Sequence, residues 1–207
     1  MFADVRSLVA DGRLLNVSSL VSFKNVNMLC LSETWLKPKH LSSLLIPGFQ
    51  PPLRCDRLVD RGWGVAVYLR DDLAFKKLQT VPSSLECLAV DVSLPLRKKL
   101  TVVTCYRPPR QNINVFLDLL EIVLTSVRGG EMCVVGDFND KHSDWYHCQA
   151  TDADGAALKH LTGGLALHQV ITHPTYNIAA ANPVLLDLVF VSKPSSVVST
   201  TVLPSCV

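Results

Sequence analysis

Short apolar segments separated by turn-forming residues recur along the chain, and most have the length of strands rather than helices. Several alternate in polarity or run continuously in Val, Leu and Cys, as strands buried on at least one face do. The pattern predicts strands at 27–32, 64–69, 86–93, 100–106, 131–135, 185–191 and 197–203.

One segment shows a clear helical period instead. Apolar residues recur at helical spacing over 114–128, where Asn112 or Asn114 can cap the start and the glycines at 129–130 can end the helix. Two further helices are predicted, one beginning at Asp152 or Asp154 and disturbed by the glycines at 163–164, and a weaker one over 18–25. Because no repeat, low-complexity tract or linker interrupts the pattern, the residues predict a single α+β domain.

Composition agrees with a folded globule. The 207 residues are 48% hydrophobic with a mean hydropathy of +0.27, and 18% are charged, below the usual share of about 25%. This excludes a disordered chain. The net charge of +2 permits a polyanionic partner without demanding one, so any contact with DNA should be local.

Cysteine usage and the N-terminus indicate the compartment. The seven cysteines contain no Cys-x-x-Cys pair and no zinc-ligand spacing, which predicts buried free thiols in a reducing environment. The N-terminus does not resemble a signal peptide, and no apolar run approaches the roughly 18 residues of a membrane span. We expect an intracellular, soluble protein without a membrane partner.

The segment Val134–Asn139, with sequence Val-Val-Gly-Asp-Phe-Asn, carries the strongest indication of chemistry. Two apolar strand residues lead into a turn that bears a carboxylate and a carboxamide. Asp137 can activate a water, and Asn139 points to the same side of an extended backbone. Gly136 lets the chain turn without blocking access. This combination suits phosphodiester hydrolysis.

Three other predicted strands end in, or contain, an isolated acidic or phenolic residue: Glu33, Tyr106 and Asp187. Each alone has a structural explanation, as a solvated charge, a packed aromatic ring or a turn cap. Their interpretation depends on whether they occur together with the segment around Asp137.

Six motifs occur together in a fixed order: Ser32-Glu-Thr-Trp-Leu36, Pro47-Gly-Phe49, Arg61-Gly-Trp-Gly-Val-Ala66, Tyr106-Arg-Pro-Pro109, Gly136-Asp-Phe-Asn139 and Leu186-Asp-Leu-Val189. The set resembles the endonuclease/exonuclease/phosphatase superfamily, most closely the apurinic-like endonuclease domain of non-LTR (LINE-type) retrotransposons. The resemblance runs from about residue 3 to the last residue. It implies a four-layer sandwich in which two packed mixed β-sheets are flanked by helices.

The resemblance also implies roles for individual residues. Glu33 resembles the carboxylate that binds Mg²⁺, for which Mn²⁺ can substitute, and a hard oxygen ligand suits that ion. Asp137 resembles the residue that orients and deprotonates the attacking water, and Asn139 the carboxamide that positions the nucleophile and the phosphate. Tyr106 resembles the phenol that hydrogen-bonds the scissile phosphate. Asp187 resembles the carboxylate that holds a catalytic histidine.

Three further residues match less closely. The segment Asp4-Val-Arg-Ser-Leu8 has Asp where the family has an Asn that helps to hold the metal or phosphate, so Asp4 is a second candidate metal ligand. Arg107 follows the phenol and could pair with a DNA phosphate, although a loop arginine is as often solvated. Thr175 lies where the family has a Pro-Thr loop near the DNA, and is a candidate substrate-binding residue.

The histidine that Asp187 should hold lies in a Ser-Asp-His motif, and that motif occurs nowhere in the sequence. We therefore expect residues 1–207 to be one domain that ends before it. The leading hypothesis is a Mg²⁺-dependent nuclease that nicks one DNA strand and leaves a 3′ hydroxyl. It would belong to a longer polyprotein with a reverse transcriptase and act in the nucleus. A non-catalytic remnant that at most binds DNA, and a phosphoesterase with another substrate, remain alternatives.

Overall fold

The structure, a computed structural model, describes residues 1–57, 63–127, 130–178 and 181–203. The strands are β1 (Phe2–Asp4), β2 (Met28–Ser32), β3 (Leu53–Cys55), β4 (Val65–Leu69), β5 (Phe75–Lys77), β6 (Cys87–Ser93), β7 (Lys99–Tyr106), β8 (Glu131–Asp137), β9 (His168–Gln169), β10 (Tyr176–Ile178), β11 (Ala181–Val184) and β12 (Asp187–Val191). The helices are α1 (Arg13–Phe23), α2 (Ile113–Ser126) and α3 (Ala153–Gly164), with short 3-10 turns at Pro38–Ser43, Pro95–Arg97 and Pro194–Ser196.

These strands form two mixed sheets and one hairpin. The first sheet has the order β1-β2-β4-β3, the second β5-β6-β7-β8-β12-β9, and β10 pairs with β11. The pairs β1–β2 and β7–β8 are parallel, whereas the remaining pairs are antiparallel. The predicted α+β class with two mixed sheets is confirmed.

Alternation along the strands explains how the layers stack, because successive side chains point to opposite faces of a sheet. In β4, Val65 and Val67 belong to an apolar cluster shared with Val90 and Val102 of the second sheet. The alternate residues Ala66 and Tyr68 belong to a cluster that includes residues of α1. On the far side of the second sheet, a third cluster joins alternate residues of β6 and β7 to α2 and α3. The result is the expected order of helix, sheet, sheet and helices.

Six of the seven predicted strands are present, each within two residues of its predicted bounds at either end. The strand predicted at 197–203 is wrong, since those residues form no strand and Val198 is 99% exposed. β-branched residues favour a strand only where a neighbouring strand can pair with them. Six strands of two to four residues, β1, β3, β5, β9, β10 and β11, were not predicted because they are too short to show a period.

Two of the three helices begin at the capping residues that the sequence predicts. The Asn112 side chain accepts hydrogen bonds from the backbone N–H of Asn114 and Val115, and the Asp152 side chain accepts one from Gly155. α1 begins at Arg13, five residues before the predicted start. α3 continues through the two glycines expected to disturb it. The glycine at 129 and residues 61–62 of the third motif lie outside the described residues.

Six cysteines lie in the described part of the chain, and all are free thiols. Three are buried, two are half-buried and Cys148 is exposed, so the expected burial applies to only some of them. None of the helices described here has the length and apolar character that a membrane span requires.

Gly136 is required by the close approach of β7 and β8. A Cβ atom at this position would lie 1.9 Å from the backbone carbonyl oxygen of Cys105. Gly136→Ala is therefore expected to lower the free energy of unfolding by about 3 kcal/mol or more, because backbone in a sheet must shift. The measurement is urea unfolding followed by circular dichroism. Gly163→Ala is the matched control, since nothing lies within 4 Å of its added Cβ, and there alanine should be neutral or stabilising. Equal stability of the two variants would contradict the prediction.

Candidate active site

Three of the predicted residues meet at one end of the second sheet. Tyr106 and Asp137 are register partners at the ends of the parallel strands β7 and β8. Asp187, the first residue of the antiparallel strand β12, lies opposite Asp137. Neighbouring strands lie about 5 Å apart, so the topology alone brings these side chains together.

The first sheet contributes two carboxylates at the same place. Asp4 is the last residue of β1 and pairs with Ser32, and Glu33 follows directly. Beyond the strands, the N–H of Ser7 donates to the carbonyl of Glu33 at 2.7 Å, which keeps the two segments side by side. One carboxylate oxygen from each of Asp4, Glu33 and Asp137 lies within 4.8 Å of the other two. The cluster therefore draws on both sheets.

This cluster has the donor set of a divalent cation site. Oδ1 of Asp4 is buried and has no hydrogen-bond partner among the described residues, although a buried acceptor normally has one. Three hard oxygen ligands at this spacing suit Mg²⁺ or Mn²⁺. A cation would satisfy the orphaned oxygen and offset the repulsion between the carboxylates, so the residues present fit such an ion.

Hydrogen bonds fix the cluster on both sides. The Tyr106 hydroxyl donates to Oε1 of Glu33 at 2.7 Å, which links the two sheets. The backbone N–H of Asn139 donates to Oδ1 of Asp137 and its carboxamide to Oδ2, each at 3.0 Å. The same carboxamide also donates to the carbonyl of Arg107 at 3.0 Å. Asn139 therefore holds both oxygens of Asp137.

Two of these residues adopt a backbone conformation that side chains seldom take. Glu33 has φ of 50° and Asn139 has φ of 56°, in the left-handed region. Asn tolerates this region better than most residues, whereas Glu does so at a cost. Strain of this kind is concentrated at functional sites, which agrees with the roles predicted for both residues.

Thr175 lies beside Asp187. Its hydroxyl oxygen accepts hydrogen bonds from the backbone N–H of Asp187 at 3.0 Å and of Leu186 at 3.3 Å. The backbone N–H of Thr175 donates to the carbonyl of Val184 at 3.1 Å. This residue therefore anchors the start of β12 to the hairpin next to it. The groups of possible metal ligands found in the described part of the chain include no histidine.

Burial and mutual repulsion raise the pKa values of the carboxyl groups. Burial, followed by the charges of Asp187, Asp4 and Glu33, raises the pKa of Asp137 to about 8. Burial, followed by Glu33 and Asp187, raises the pKa of Asp4 to about 7. Burial raises the pKa of Asp187 to about 6, although Thr175 and Arg6 act to lower it. The site holds more negative charge than its surroundings compensate.

Arg107 is placed differently from the prediction. Its side chain is 2% exposed and forms ion pairs with Asp140 and, at 3.2 Å, with Asp154. Its Nε donates to the carbonyl of Phe138 at 2.8 Å and its Nη1 to that of Gln111 at 3.0 Å. This burial is at odds with a contact to a DNA phosphate. The guanidinium instead holds the turn that carries Asn139, because the loop after β8 folds over it.

Removing the Arg107 side chain should leave Asp140 as a buried, unpaired carboxylate. We expect Arg107→Met to lower the free energy of unfolding by about 3–5 kcal/mol, measured by urea unfolding. Arg107→Met combined with Asp140→Leu should recover much of that loss, because it removes both charges. A single variant that loses less than about 1 kcal/mol, as a surface ion pair would, would contradict the assignment.

Three residues at the rim of the cluster were not predicted as site residues. Nε of Arg6 lies 3.7 Å from Oδ2 of Asp4, and the Trp63 ring centre lies 6.4 Å from that of Tyr106. Arg57 stacks on Trp63 with its Cζ 3.7 Å from the ring centre. The sequence contained two indications, because Arg6 follows Asp4 by two residues and Trp63 lies in the third motif.

Comparison with known proteins gives a consistent assignment of the fold. The model of the endonuclease/exonuclease/phosphatase family matches residues 5–207. No curated protein sequence is significantly similar to the chain. The endonuclease domain of TRAS1, a telomere-specific non-LTR retrotransposon, superposes with a TM-score of 0.71 at 17% identity, covering 91% of this chain and 82% of that one.

Two other solved structures show how widely the fold is shared. An AP endonuclease, LMAP from Leishmania major, superposes with a TM-score of 0.71 at 14% identity, covering 92% of this chain and 78% of that one. A mannosyl-6-phosphatase from Bacteroides thetaiotaomicron gives 0.65 at 12% identity, covering 93% and 85%. At such identities the likeness shows the fold, and the fold alone does not decide the substrate.

Proposed function

Because the chain belongs to the endonuclease/exonuclease/phosphatase family, we propose that it is a divalent-metal-dependent DNA endonuclease of a retrotransposon. It hydrolyses one phosphodiester bond in one strand and leaves a 3′ hydroxyl. The observation that carries the proposal is the cluster of Asp4, Glu33 and Asp137, whose carboxylate oxygens lie within 4.8 Å of one another. Asn139 holds both oxygens of Asp137 beside it.

Each residue then has a defined task. Asp137, held by Asn139, accepts a proton from the attacking water, and base catalysis of this kind contributes roughly 10²–10⁴-fold in rate. Asp4 and Glu33 hold the cation, Mg²⁺ or Mn²⁺. When bound, the cation supplies charge stabilisation to the phosphate oxygens and the departing 3′ oxygen.

The phenol orients the phosphate, and the carboxamide orients the water. Burial and the neighbouring Glu33 raise the pKa of Tyr106 above its usual range, so its hydroxyl stays protonated. Its single hydrogen, which is donated to Glu33 in the free protein, is donated to a phosphate oxygen when the substrate binds and Glu33 turns to the cation. Both N–H groups of the Asn139 carboxamide are donated, to Asp137 and to the carbonyl of Arg107, so Asn139 positions the attacking water by holding Asp137 and by offering its amide oxygen as an acceptor. Asp187 adds a fourth acidic group, opposite Asp137 at the same end of the second sheet.

DNA is the proposed substrate because the motifs that begin at Glu33 and at Tyr106 resemble the retrotransposon branch of the family. The TRAS1 domain is named as an endonuclease of that class. In this proposal the chain belongs to a polyprotein with a reverse transcriptase, and it acts on DNA in the nucleus. With a net charge of only +2, its own affinity for DNA should be modest.

A non-catalytic remnant is the second candidate, and one observation favours it. The 207 residues contain no Ser-Asp-His motif, so Asp187 lacks the partner that the resemblance implies. Losing a group that stabilises developing charge commonly costs about 10²–10³-fold in rate. The chain is therefore expected to be slow even if the other groups act as proposed.

Nicking of supercoiled plasmid separates these candidates. With MgCl₂ and excess protein, we expect slow conversion to open circles, whose nicks a DNA polymerase can extend because they carry 3′ hydroxyls. EDTA should prevent conversion. A protein that retards the plasmid without nicking it would support the remnant. A protein that leaves DNA intact but hydrolyses a phosphomonoester would point to another substrate.

A further inference from the structure

Arg6 lies where the backbone leaves the first sheet beside the acidic cluster. Arg6 and Ser7 have φ of 40° and 87°, so two consecutive residues take the left-handed conformation. The Arg13 guanidinium in α1 donates to the carbonyls of Val5 and, at 2.6 Å, of Arg6. The side chain of a helix residue therefore holds the backbone of Arg6 in place, whereas the backbone of most surface loops is more mobile.

The side chain, in contrast, is exposed, and its partners are Asp4 and the Tyr176 side chain, to which it donates a hydrogen bond. It is 60% exposed, and its Nε lies 3.7 Å from Oδ2 of Asp4, beyond the range of a hydrogen bond. Its Cζ lies 5.8 Å from the centre of the Tyr176 ring on the hairpin. An exposed ion pair of this length is weak, so the guanidinium can leave Asp4 at little cost while Tyr176 keeps it at the rim of the site.

Arg6 also supplies positive charge that the site needs. Its charge acts on both Asp4 and Asp187, and the carboxylates around it are Asp4, Glu33, Asp137 and Asp187. A divalent cation compensates only two of these four negative charges, and an incoming phosphodiester adds another. The positive charge of the Arg6 side chain at the rim would reduce the repulsion between the carboxylates and the phosphate.

Building on the proposed function, we infer that Arg6 is a phosphate-binding residue of the active site. In the free protein the guanidinium rests against Asp4. When a DNA strand enters, it turns to a phosphate oxygen, to which a planar guanidinium can donate two hydrogen bonds. Asp4 is then released to the cation.

This exchange predicts two effects of opposite sign. Replacing Arg6 by an uncharged residue should weaken DNA binding about tenfold and reduce the slope of log affinity against log salt concentration by about 1. The same change should tighten divalent-cation binding about twofold to fivefold, because a competing positive charge has left Asp4. A purely structural role for Arg6 would weaken both.

The test uses three variants of the whole chain: Arg6→Gln, Arg6→Lys and Arg70→Gln. Arg70 is the matched control, because it too is a partly exposed arginine paired with an aspartate two residues away. It follows the end of β4 that pairs with the start of β2, so it lies at the end of the first sheet away from Glu33. Binding of a fluorescein-labelled duplex is measured by anisotropy in CaCl₂ over a series of NaCl concentrations. Binding of MnCl₂ without DNA is measured by electron paramagnetic resonance.

We expect Arg6→Gln to bind the duplex more weakly with a smaller salt slope and to bind Mn²⁺ more tightly. Arg6→Lys should keep the salt slope, and Arg70→Gln should match the wild type in both. If Arg6→Gln matches Arg70→Gln in duplex binding, or binds Mn²⁺ more weakly, the inference is overturned. A wild type that fails to nick but shows the two opposite effects would refute the nuclease proposal alone. A wild type that binds no duplex would overturn both.

Discussion

Asp137→Asn is expected to reduce plasmid nicking by about 10³-fold or more. The substitution keeps the size and planarity of the side chain but removes the group that accepts the proton from water. In the wild type, Asn139 donates to both oxygens of the Asp137 carboxylate. In the variant, the carboxamides of residues 137 and 139 face each other instead. The measurement is the single-turnover rate of open-circle formation in Mg²⁺.

The same variant should be more stable than the wild type near pH 8. Burial and neighbouring charges disfavour the ionised form of Asp137, and Asn removes that repulsion. An inactive variant with a raised unfolding temperature therefore identifies a catalytic loss and not a folding defect. Asp118→Asn, on the exposed surface of α2, is the matched control and should change neither property. Nicking by Asp137→Asn within tenfold of the wild type would assign the base to another residue.

The second large effect concerns divalent cations and pH. The pKa values of Asp187, Asp4 and Asp137 in the folded state, about 6, 7 and 8, all lie above the unfolded value of about 3.9. Raised carboxyl pKa values favour the folded state while the groups are protonated, and this contribution is lost as pH rises through the folded values. Without a divalent cation, these three groups should therefore make the protein less stable at pH 8 than near pH 5.

Adding Mg²⁺ or Mn²⁺ should reverse the loss, because the ion binds the ionised carboxylates and the folded state alone presents them together. We expect the unfolding temperature to rise by several degrees at pH 8, where each kcal/mol corresponds to about 2–4 °C for a chain of this size. Near pH 5 the rise should be about zero, because protons occupy the site. The measurement is a thermal melt with and without the ion.

Asp4→Asn provides the internal test of this linkage. It should raise stability at pH 8 in EDTA, since one repelling charge is lost, and it should abolish most of the gain from Mg²⁺. Equal stabilisation by Mg²⁺ at both pH values, or an unchanged gain in Asp4→Asn, would show that the ion binds outside the acidic cluster.

The sequence predicted the residues of the second sheet well. Tyr106 and Asp137 each follow a long apolar run, so the strand pattern alone placed them at strand ends, whereas Asp187 was predicted inside a strand that in fact begins with it. Asn139 followed from the turn chemistry next to Asp137. What the pattern does not contain is the register between strands, which is set by long-range pairing.

The less successful predictions share a physical cause. β1 has three residues, too few to show a period, so the position of Asp4 beside Glu33 could be expected only from resemblance. The sequence around Arg107 predicts an exposed arginine in a loop. Its burial depends on Asp140 and Asp154, which follow later in the chain and fold back over it. The apolar run at 197–203 shows that strand propensity without a neighbouring strand does not make a strand.

The Tyr106–Glu33 hydrogen bond joins two sheets whose facing surfaces are mainly apolar. The distances between the site residues therefore depend on how the two sheets are aligned. If one sheet slid over the other by about an ångström, the groups contributed by opposite sheets would separate. Substitutions deep in the interior, such as Val90→Ala or Val102→Ala, would then lower turnover without touching any reacting group. Selection on the activity of this domain should extend inward from the acidic cluster to the seam between its sheets.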